Sequence, residues 1–270
     1  MAIKLFVTDM DGTLLNREHR ISEENKQAIR EAAEAGVIVT IATGRTYGST
    51  LNYAKELGVN VPIITYNGAV IRTVAGEDLF TAYLDEKIVT EVLQYCFARN
   101  WYVQVYAHDG NEDRIYIDQA CEQSRNYESS IGAVCTPAGR DGMLEKTKNV
   151  PKILVVTAGT EETLAVIADL GEAFRGRVFP VKSSAIFAEV NSKGVNKGSS
   201  VLRLAERFGI QPDEIMVIGD SANDLAMMRV AGHSVAMGNA DADVKAVCEY
   251  VTGDCDDSGV AQAIRKYVLG

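Results

Sequence analysis

A chain of 270 residues, 47% apolar and 24% charged, can bury one large core or two ordinary ones and lacks the bias of a disordered or fibrous protein. Its formal net charge of −10 excludes a nonspecific nucleic-acid binder, which needs a basic footprint. The same charge repels anions at long range, so any phosphate site must be built locally from a metal, backbone amides and a few cations. No apolar run approaches the roughly 20 residues that cross a bilayer, so no membrane partner is expected. The apolar start, residues 3–7, is too short for a signal peptide and reads as a buried strand. Five scattered cysteines without C-x-x-C spacing argue against a zinc site or disulfide framework and fit a reducing cytoplasm.

Apolar runs then alternate with helical patterns, the grammar of a parallel α/β sheet. Residues 3–8 predict a strand. Ser22 is placed to cap a helix carrying Glu23 and Glu24 in its first turn and stopping at Gly36. Residues 37–42 predict a nearly all-apolar strand, 46–57 a helix and 62–66 another strand. Asn67-Gly68 reads as a tight hairpin turn. Towards the other end the pattern returns: helix 197–208 with Gly209 and Pro212 beyond it, strand 215–218, helix 223–231, short strand 234–237 and helix 256–268. The two ends therefore predict halves of one doubly wound, Rossmann-like parallel sheet.

The middle differs. Residues 101–106 alternate as a half-exposed antiparallel strand would, and 115–117, 153–156, 177–181 and 186–190 are further strand candidates. Helices are expected near 86–99 and 161–174. The expected organisation is a core of residues 1–83 and 189–270 with an inserted α+β domain over 84–188.

Chemistry concentrates at predicted strand ends, where ligands of open α/β sheets bind. Asp9-Met10-Asp11-Gly12-Thr13 follows the first strand. A calcium loop would need glycine where Leu14 stands, so that reading fails. Gly219-Asp220-Ser221-Ala222-Asn223-Asp224 follows another strand; a helix cap explains Asp220 but not Asn223 and Asp224. In one parallel sheet Asp220 would share an edge with Asp9 and Asp11. Two carboxylates ~4 Å apart repel by about 4 kcal/mol at an effective dielectric near 20, so the cluster must hold protons or a cation. Oxygen donors without His or Cys select a hard ion such as Mg²⁺. Thr43-Gly44-Arg45 offers a hydroxyl and an amide to phosphate, or is simply a turn. Lys197 at a helix start opposes the macrodipole unless an anion sits near it or the side chain is solvated.

The set Asp9-x-Asp11-Gly12-Thr13, Thr43-Gly44-Arg45, Lys197 and Gly219-Asp220-x-x-Asn223-Asp224 resembles the haloacid dehalogenase superfamily of phosphatases, in its Cof-type, subfamily IIB branch. The resemblance implies a Mg²⁺-dependent phosphomonoester hydrolase acting on small phosphorylated metabolites such as sugar phosphates through an aspartyl-phosphate. It assigns Asp9 as nucleophile and Asp11 as proton carrier. Asp9, Asp220 and the Asp11 backbone carbonyl become metal ligands, with Asp224 behind them. Thr43, Lys197, Asn223 and the amides of Met10 and Gly44 become phosphate contacts. It further implies that residues 84–188 form a cap selecting the leaving group. Trp101, Tyr102, Tyr106 and Tyr116 suit either stacking on a sugar or core packing. His108 and Asp109 are expected on a cap loop, and Arg45 on phosphate or in a salt bridge. Asn67 is a secondary site candidate. A phosphotransferase or mutase, or a silent phosphometabolite-binding module, remains open on the same motifs; no P-loop run is present.

Overall fold

The first strand, β1 (Leu5–Thr8), is buried along its whole length, as a strand covered on both faces requires. In the computed structural model, which describes residues 2–59, 61–109 and 112–270, it leads through a loop to α1 (Glu23–Glu34). There Ser22 accepts the Asn25 amide, and Glu23 and Glu24 sit in the first turn, as the capping pattern requires. Strand β2 (Ile38–Ile41) pairs in parallel with β1, from Leu5↔Ile38 to Thr8↔Ile41. Helix α2 (Tyr47–Glu56) follows.

The next expected strand of that sheet takes a different partner. β3 (Ile63–Thr65) meets β2 only through an isolated parallel bridge, Ala42↔Ile64, and forms an antiparallel hairpin with β4 (Val70–Arg72). β5 (Asp78–Thr81) completes this three-stranded sheet. The hairpin bend is Tyr66-Asn67-Gly68, with φ of 52°, 55° and 99°, a left-handed stretch that asparagine and glycine tolerate.

Chain 80–195, with 45–49, forms its own compact unit. It comprises α3 (Glu86–Ala98), β6 (Tyr102–Asp109), β7 (Glu112–Ile117), α4 (Glu122–Ile131), β8 (Cys135–Pro137), α5 (Gly139–Leu144), β9 (Lys152–Val156), α6 (Thr160–Ala173), β10 (Val178–Ser184) and β11 (Phe187–Ser192). The six strands order as β10-β11-β9-β6-β7-β8, and every described pair is antiparallel except β7 with β8. Val103, Val105, Ile153, Val155 and Val190 point to one face and join α3 and α6 residues such as Val92 and Leu170 in one apolar core. Trp101 and Tyr116 pack against that core. Their alternates Gln104, Tyr106 and Lys152 are polar yet buried. Lys152 there pairs with Glu189 at 2.8 Å, and Tyr106 donates to Gln104 at 3.0 Å.

Two expectations are corrected here. The domain junction expected at 188/189 cuts β11, whose ladders to β9 and β10 keep the chain in the inserted unit as far as Val195. His108 is not on a loop. It lies fully buried in β6, its Nδ1 2.9 Å from Asp113 Oδ1, because the alternation of 101–106 simply continues. Asp109 ends the same strand, and its side chain lies outside the described residues.

The chain then supplies α7 (Lys197–Arg207), β12 (Ile215–Gly219), α8 (Leu225–Met228), β13 (His233–Ala236), α9 (Ala242–Val247), β14 (Tyr250–Val251) and α10 (Gly259–Ala263). With residues 1–44 and 50–79 these form the other unit. Its parallel sheet runs β14-β13-β12-β1-β2, and helices cover a doubly wound α/β core. The helix expected over 223–231 is a 3-10 turn, Ala222–Asp224, and the four-residue α8. The reason is local: the Asp224 side chain folds back to accept the Asp220 and Ser221 amides, holding the chain in a tight turn. The last expected helix likewise divides into a 3-10 turn, α10 and a π turn at Ile264–Val268.

Two glycines make opposite predictions. A Cβ on Gly198, at the second position of α7, would overlap the backbone carbonyl of Ala226, which cannot swing aside. Gly198→Ala should therefore cost about 1–3 kcal/mol and lower the melting temperature. A Cβ on Gly171, inside α6, would meet only Pro180 Cγ at 3.7 Å. Gly171→Ala should be neutral or stabilise by about 0.5–1 kcal/mol. Thermal and urea unfolding of the two variants checks the contrast.

Candidate active site

The parallel register brings the motifs together. Thr8 pairs with Ile218 on one side and Ile41 on the other, so β1, β12 and β2 end level. Asp9, Asp220 and Thr43 then leave the same carboxyl edge, the crevice where open α/β sheets bind ligands. Helix α7 starts at that edge. Its Asn196 cap accepts the Ser199 amide at 2.9 Å, and Ser199 Oγ accepts the Asn196 amide at 3.2 Å. Lys197 is thereby fixed at the first helical position with its side chain fully buried.

The Lys197 ammonium lies 2.6 Å from Asp9 Oδ1 and 2.6 Å from Asp224 Oδ1. Burial works against its charge, but Asp224 and Asp9 outweigh burial and hold its pKa above the usual lysine value. The conflict with the helix macrodipole is thus resolved within the protein, by two carboxylates.

Asp9, Asp220 and Asp224 each place a carboxylate oxygen within 4.8 Å of the others. Three carboxylates against one ammonium leave an excess of negative charge in a buried place. Burial, with the Asp224 charge added, pushes Asp9 up to about 7, although Lys197 opposes the rise. Burial, with Asp9 and Asp224, drives Asp220 well above the usual carboxylate range. A hard divalent cation would remove this excess, and the all-oxygen donor set fits one.

The three acids do not have the same freedom. Asp224 Oδ1 is taken by Lys197, and Oδ2 accepts the amides of Asp220 and Ser221, both at 3.0 Å. Asp224 is therefore a clamp on the lysine and the loop, and Asp9 and Asp220 are the residues that could hold an ion. Thr13 Oγ1 steadies Asp220 Oδ1 at 3.1 Å. Gly12, at φ 73°, is required for the same approach: a Cβ there would stand 2.5 Å from Asp220 Oδ2. The Asp11 carboxylate stands outside the buried trio, 41% exposed and 3.9 Å from His19 Nδ1.

The remaining predicted residues gather at the same edge. Thr43 is buried; its amide bonds Ile64 O at 2.9 Å and its carbonyl accepts the Asn67 amide at 2.9 Å. The Met10 side chain is fully buried, and its carbonyl accepts the Thr13 and Leu15 amides, closing the turn after β1. Gly44 continues from Thr43 and ends that segment of the unit. Asn223 is buried, and its Nδ2 donates to Asn67 Oδ1 at 3.1 Å. Arg45 groups with the inserted unit instead, donating to Ile131 O at 3.4 Å. Sequence reasoning missed Asn239. Its Nδ2 donates to Gly12 O at 2.7 Å, and its Oδ1 accepts the Cys255 amide at 2.9 Å, so it braces the loop after β1 from behind. Its place just beyond β13, at the same sheet edge, is the signal that could have found it.

Comparison with known proteins agrees with this geometry. A family model described as haloacid dehalogenase-like hydrolase matches residues 6–264. The chain belongs to that family. A 5-amino-6-(5-phospho-D-ribitylamino)uracil phosphatase of Bacillus subtilis, YcsE, is 32% identical over 99% of this chain and 96% of its own. An HMP-PP phosphatase of Serratia proteamaculans is 30% identical, covering 98% of this chain and 95% of its own. A solved subclass IIB sugar phosphatase of the superfamily superposes with a TM-score of 0.84 at 25% identity, covering 99% of this chain and 100% of its own. This haloacid dehalogenase-like protein is a phosphatase of the Cof-type branch that its motifs resemble. Among the described residues no helix is long and apolar enough to cross a membrane.

The raised pKa of Asp9 sets a pH dependence. A carboxyl that ionises at 3.8 when unfolded and at about 7 when folded binds more protons in the native state between those values. Its ionisation therefore removes stability as pH rises through that window. A cation bound to the ionised form returns that stability. MgCl₂ fixed at tenfold the concentration that half-saturates at pH 8 should stabilise by roughly 1.4 kcal/mol there by mass action, and the same concentration should raise the melting temperature much less near pH 5. Equal shifts at both pH values would contradict a metal held by Asp9.

Proposed function

We propose that this phosphatase is a Mg²⁺-dependent phosphomonoester hydrolase acting through an aspartyl-phosphate on Asp9. The observation that carries the reading is the Asp9 carboxylate itself: buried at a sheet edge, hydrogen-bonded to Lys197 on one oxygen and adjacent to Asp220. Asp9, Asp220 and the Asp11 backbone carbonyl would hold Mg²⁺, which when bound supplies charge neutralisation for the phosphoryl oxygens. Lys197, Thr43, Asn223 and the amides of Met10 and Gly44 would orient the same oxygens. Phosphoryl transfer has a loose transition state, so positioning and charge account for most of the catalysis.

In the first step an Asp9 oxygen attacks phosphorus in line as the ester P–O bond breaks, and Asp11 gives its proton to the departing alkoxide. In the second step the Asp11 carboxylate takes a proton from water as that water attacks phosphorus. The acyl-phosphate P–O bond breaks, phosphate leaves, and both aspartates return to their starting states. The partial exposure of Asp11 supports this division, since a proton carrier must reach both leaving group and water.

The substrates we infer are small phosphorylated metabolites, including sugar phosphates, by likeness to relatives whose names state such activities. The inserted unit of residues 80–195 is the part we assign to leaving-group selection. All five cysteines are free thiols, which supports a reducing, cytoplasmic setting.

The test is release of phosphate from an aryl phosphate with and without MgCl₂. Activity should need the metal, fall at least about a thousandfold in Asp9→Asn, and fall about 10²–10⁴-fold in Asp11→Asn. Substantial turnover by Asp9→Asn would remove the nucleophile assignment. Phosphate appearing on an added sugar instead of in water would make the enzyme a transferase.

A further inference from the structure

Between Asp11 and α1 the chain folds into a small hairpin, and its tip returns to Asp11. Leu15 and Ile21 are buried and face each other across an antiparallel bridge. Between them Asn16 builds the turn. Its amide donates to the Arg20 carbonyl at 3.0 Å, and its carbonyl accepts the His19 amide at 2.9 Å. Its Oδ1 accepts the amides of Glu18 and Arg20 at 3.1 and 2.9 Å. Arg17 ties one flank down: its amide donates to Asp256 Oδ1 at 3.0 Å, and its guanidinium bonds the carboxylates of Asp254 and Asp256. Tyr53 of α2 ties the tip, its hydroxyl donating to the His19 carbonyl at 3.2 Å. All of these residues belong to the core unit.

In this frame His19 holds a left-handed φ of 57°, a conformation that glycine takes at no steric cost. A non-glycine residue stays there where its surroundings over-determine it, and such residues concentrate at functional sites. Core packing does not account for the side chain, because the imidazole is 46% exposed. Its Nδ1 lies 3.9 Å from Asp11 Oδ1, and an ion pair this exposed adds little to stability. What the hydrogen bonds on both flanks do accomplish is aim: they fix one ring nitrogen beside the carboxyl that the proposed reaction uses for protons. Catalytic hydrogen bonds are commonly long before substrate binds and tighten in the complex, so a resting separation of 3.9 Å is compatible with that use.

We propose that His19 is a positioning residue for the proton carrier, its imidazole orienting the Asp11 carboxyl towards the leaving oxygen of the substrate. The inference rests on the reading of Asp11 as the group that protonates the leaving alcohol. A half-exposed carboxyl has several orientations open to it, whereas a proton donor must come within about 2.6–3.2 Å of the oxygen it serves. An Nδ1–H donated to Oδ1 removes part of that freedom and leaves Oδ2 to carry the proton. The advantage depends on the substrate. A sugar or other alcohol leaves badly as an alkoxide and needs the proton, while a p-nitrophenolate leaves without it. His19 therefore matters most for the small phosphorylated metabolites inferred above as substrates.

The experiment compares His19→Gly, His19→Asn and Asp11→Asn on two substrates, phenyl phosphate with a poor leaving group and p-nitrophenyl phosphate with a good one. It reads kcat/KM, which reports the steps up to the aspartyl-phosphate, together with the melting temperature. His19→Gly should lower kcat/KM for phenyl phosphate about tenfold, a part of the roughly 10²–10⁴-fold that general acid catalysis supplies, and change p-nitrophenyl phosphate hardly at all. Its melting temperature should stay at or above that of the unmodified protein, since glycine suits the left-handed position. Asparagine also tolerates that backbone and can donate from Nδ2, so His19→Asn should recover most of the loss. In the Asp11→Asn background His19→Gly should have no further effect. A loss equal for both phosphates, no loss for either, or no recovery by His19→Asn would overturn the inference. If Asp11→Asn discriminates between the two leaving groups and His19→Gly does not, the positioning role alone is wrong. If Asp11→Asn itself slows both substrates equally, the proton-carrier reading of Asp11 is wrong and the role of His19 falls with it.

Discussion

A lysine ammonium with no solvent exposure is the constraint on which the core unit depends. A buried charge is costly unless it is paired and hydrogen-bonded, and here it is paired twice, with Asp9 and Asp224 at 2.6 Å each. That arrangement fixes three elements at once. Asp9 belongs to the end of β1, Lys197 to the start of α7, and Asp224 to the turn after β12. Each must sit where it does for the ammonium to be satisfied. The glycines around them follow from the same crowding: Gly219 lies against the Asp224 carboxylate, with space for no Cβ, and Gly198 against the Ala226 carbonyl.

The balance is deliberately incomplete in electrostatic terms. One ammonium neutralises one carboxylate, and Asp224 takes the stronger share because its second oxygen is also held by two amides. Asp9 and Asp220 are left to repel one another, and both pKa values rise. A protein gains no stability from such an arrangement, and perturbed acids of this kind concentrate at functional sites. In the proposed reaction a dication and an anionic substrate complete the charge balance, which makes binding of the two mutually supportive.

Much of this was legible in the sequence because strand ends in a parallel sheet share an edge. Asp9, Thr43 and Asp220 each follow an apolar run, and the register of β1 with its two neighbours brings them level. What could not be read is whatever depends on side-chain direction. That Asp224 stands behind the ligands is expected from the motif, but that its two oxygens clamp Lys197 and the Asp220–Ser221 amides is not. His108 looks like a loop residue until the pairing of β6 with β7 runs through it. β3 reads as one more parallel strand, because a run as short as Ile63-Ile64-Thr65 carries no information on which neighbour it pairs with. The β11 boundary was missed for the same reason: residues 187–192 alternate no differently from a core strand, and only their ladders to β9 and β10 assign them.

The contrast between Asp9 and Asp11 completes the argument. They are two residues apart, yet one is buried and bound to a lysine and the other is 41% exposed on its side chain. Alternation alone does not produce this, since both follow the strand. The turn does: Met10 O draws back the amides of Thr13 and Leu15, Gly12 takes φ 73°, and Asn239 holds the Gly12 carbonyl from behind. A residue that attacks phosphorus must be fixed in line, and misplacement by about 1 Å can cost a hundredfold in rate. A residue that carries protons between a leaving group and water must instead keep access to both. In the proposed reaction the loop after β1 divides two chemically identical side chains between those requirements by geometry, with Lys197 holding the first and solvent reaching the second.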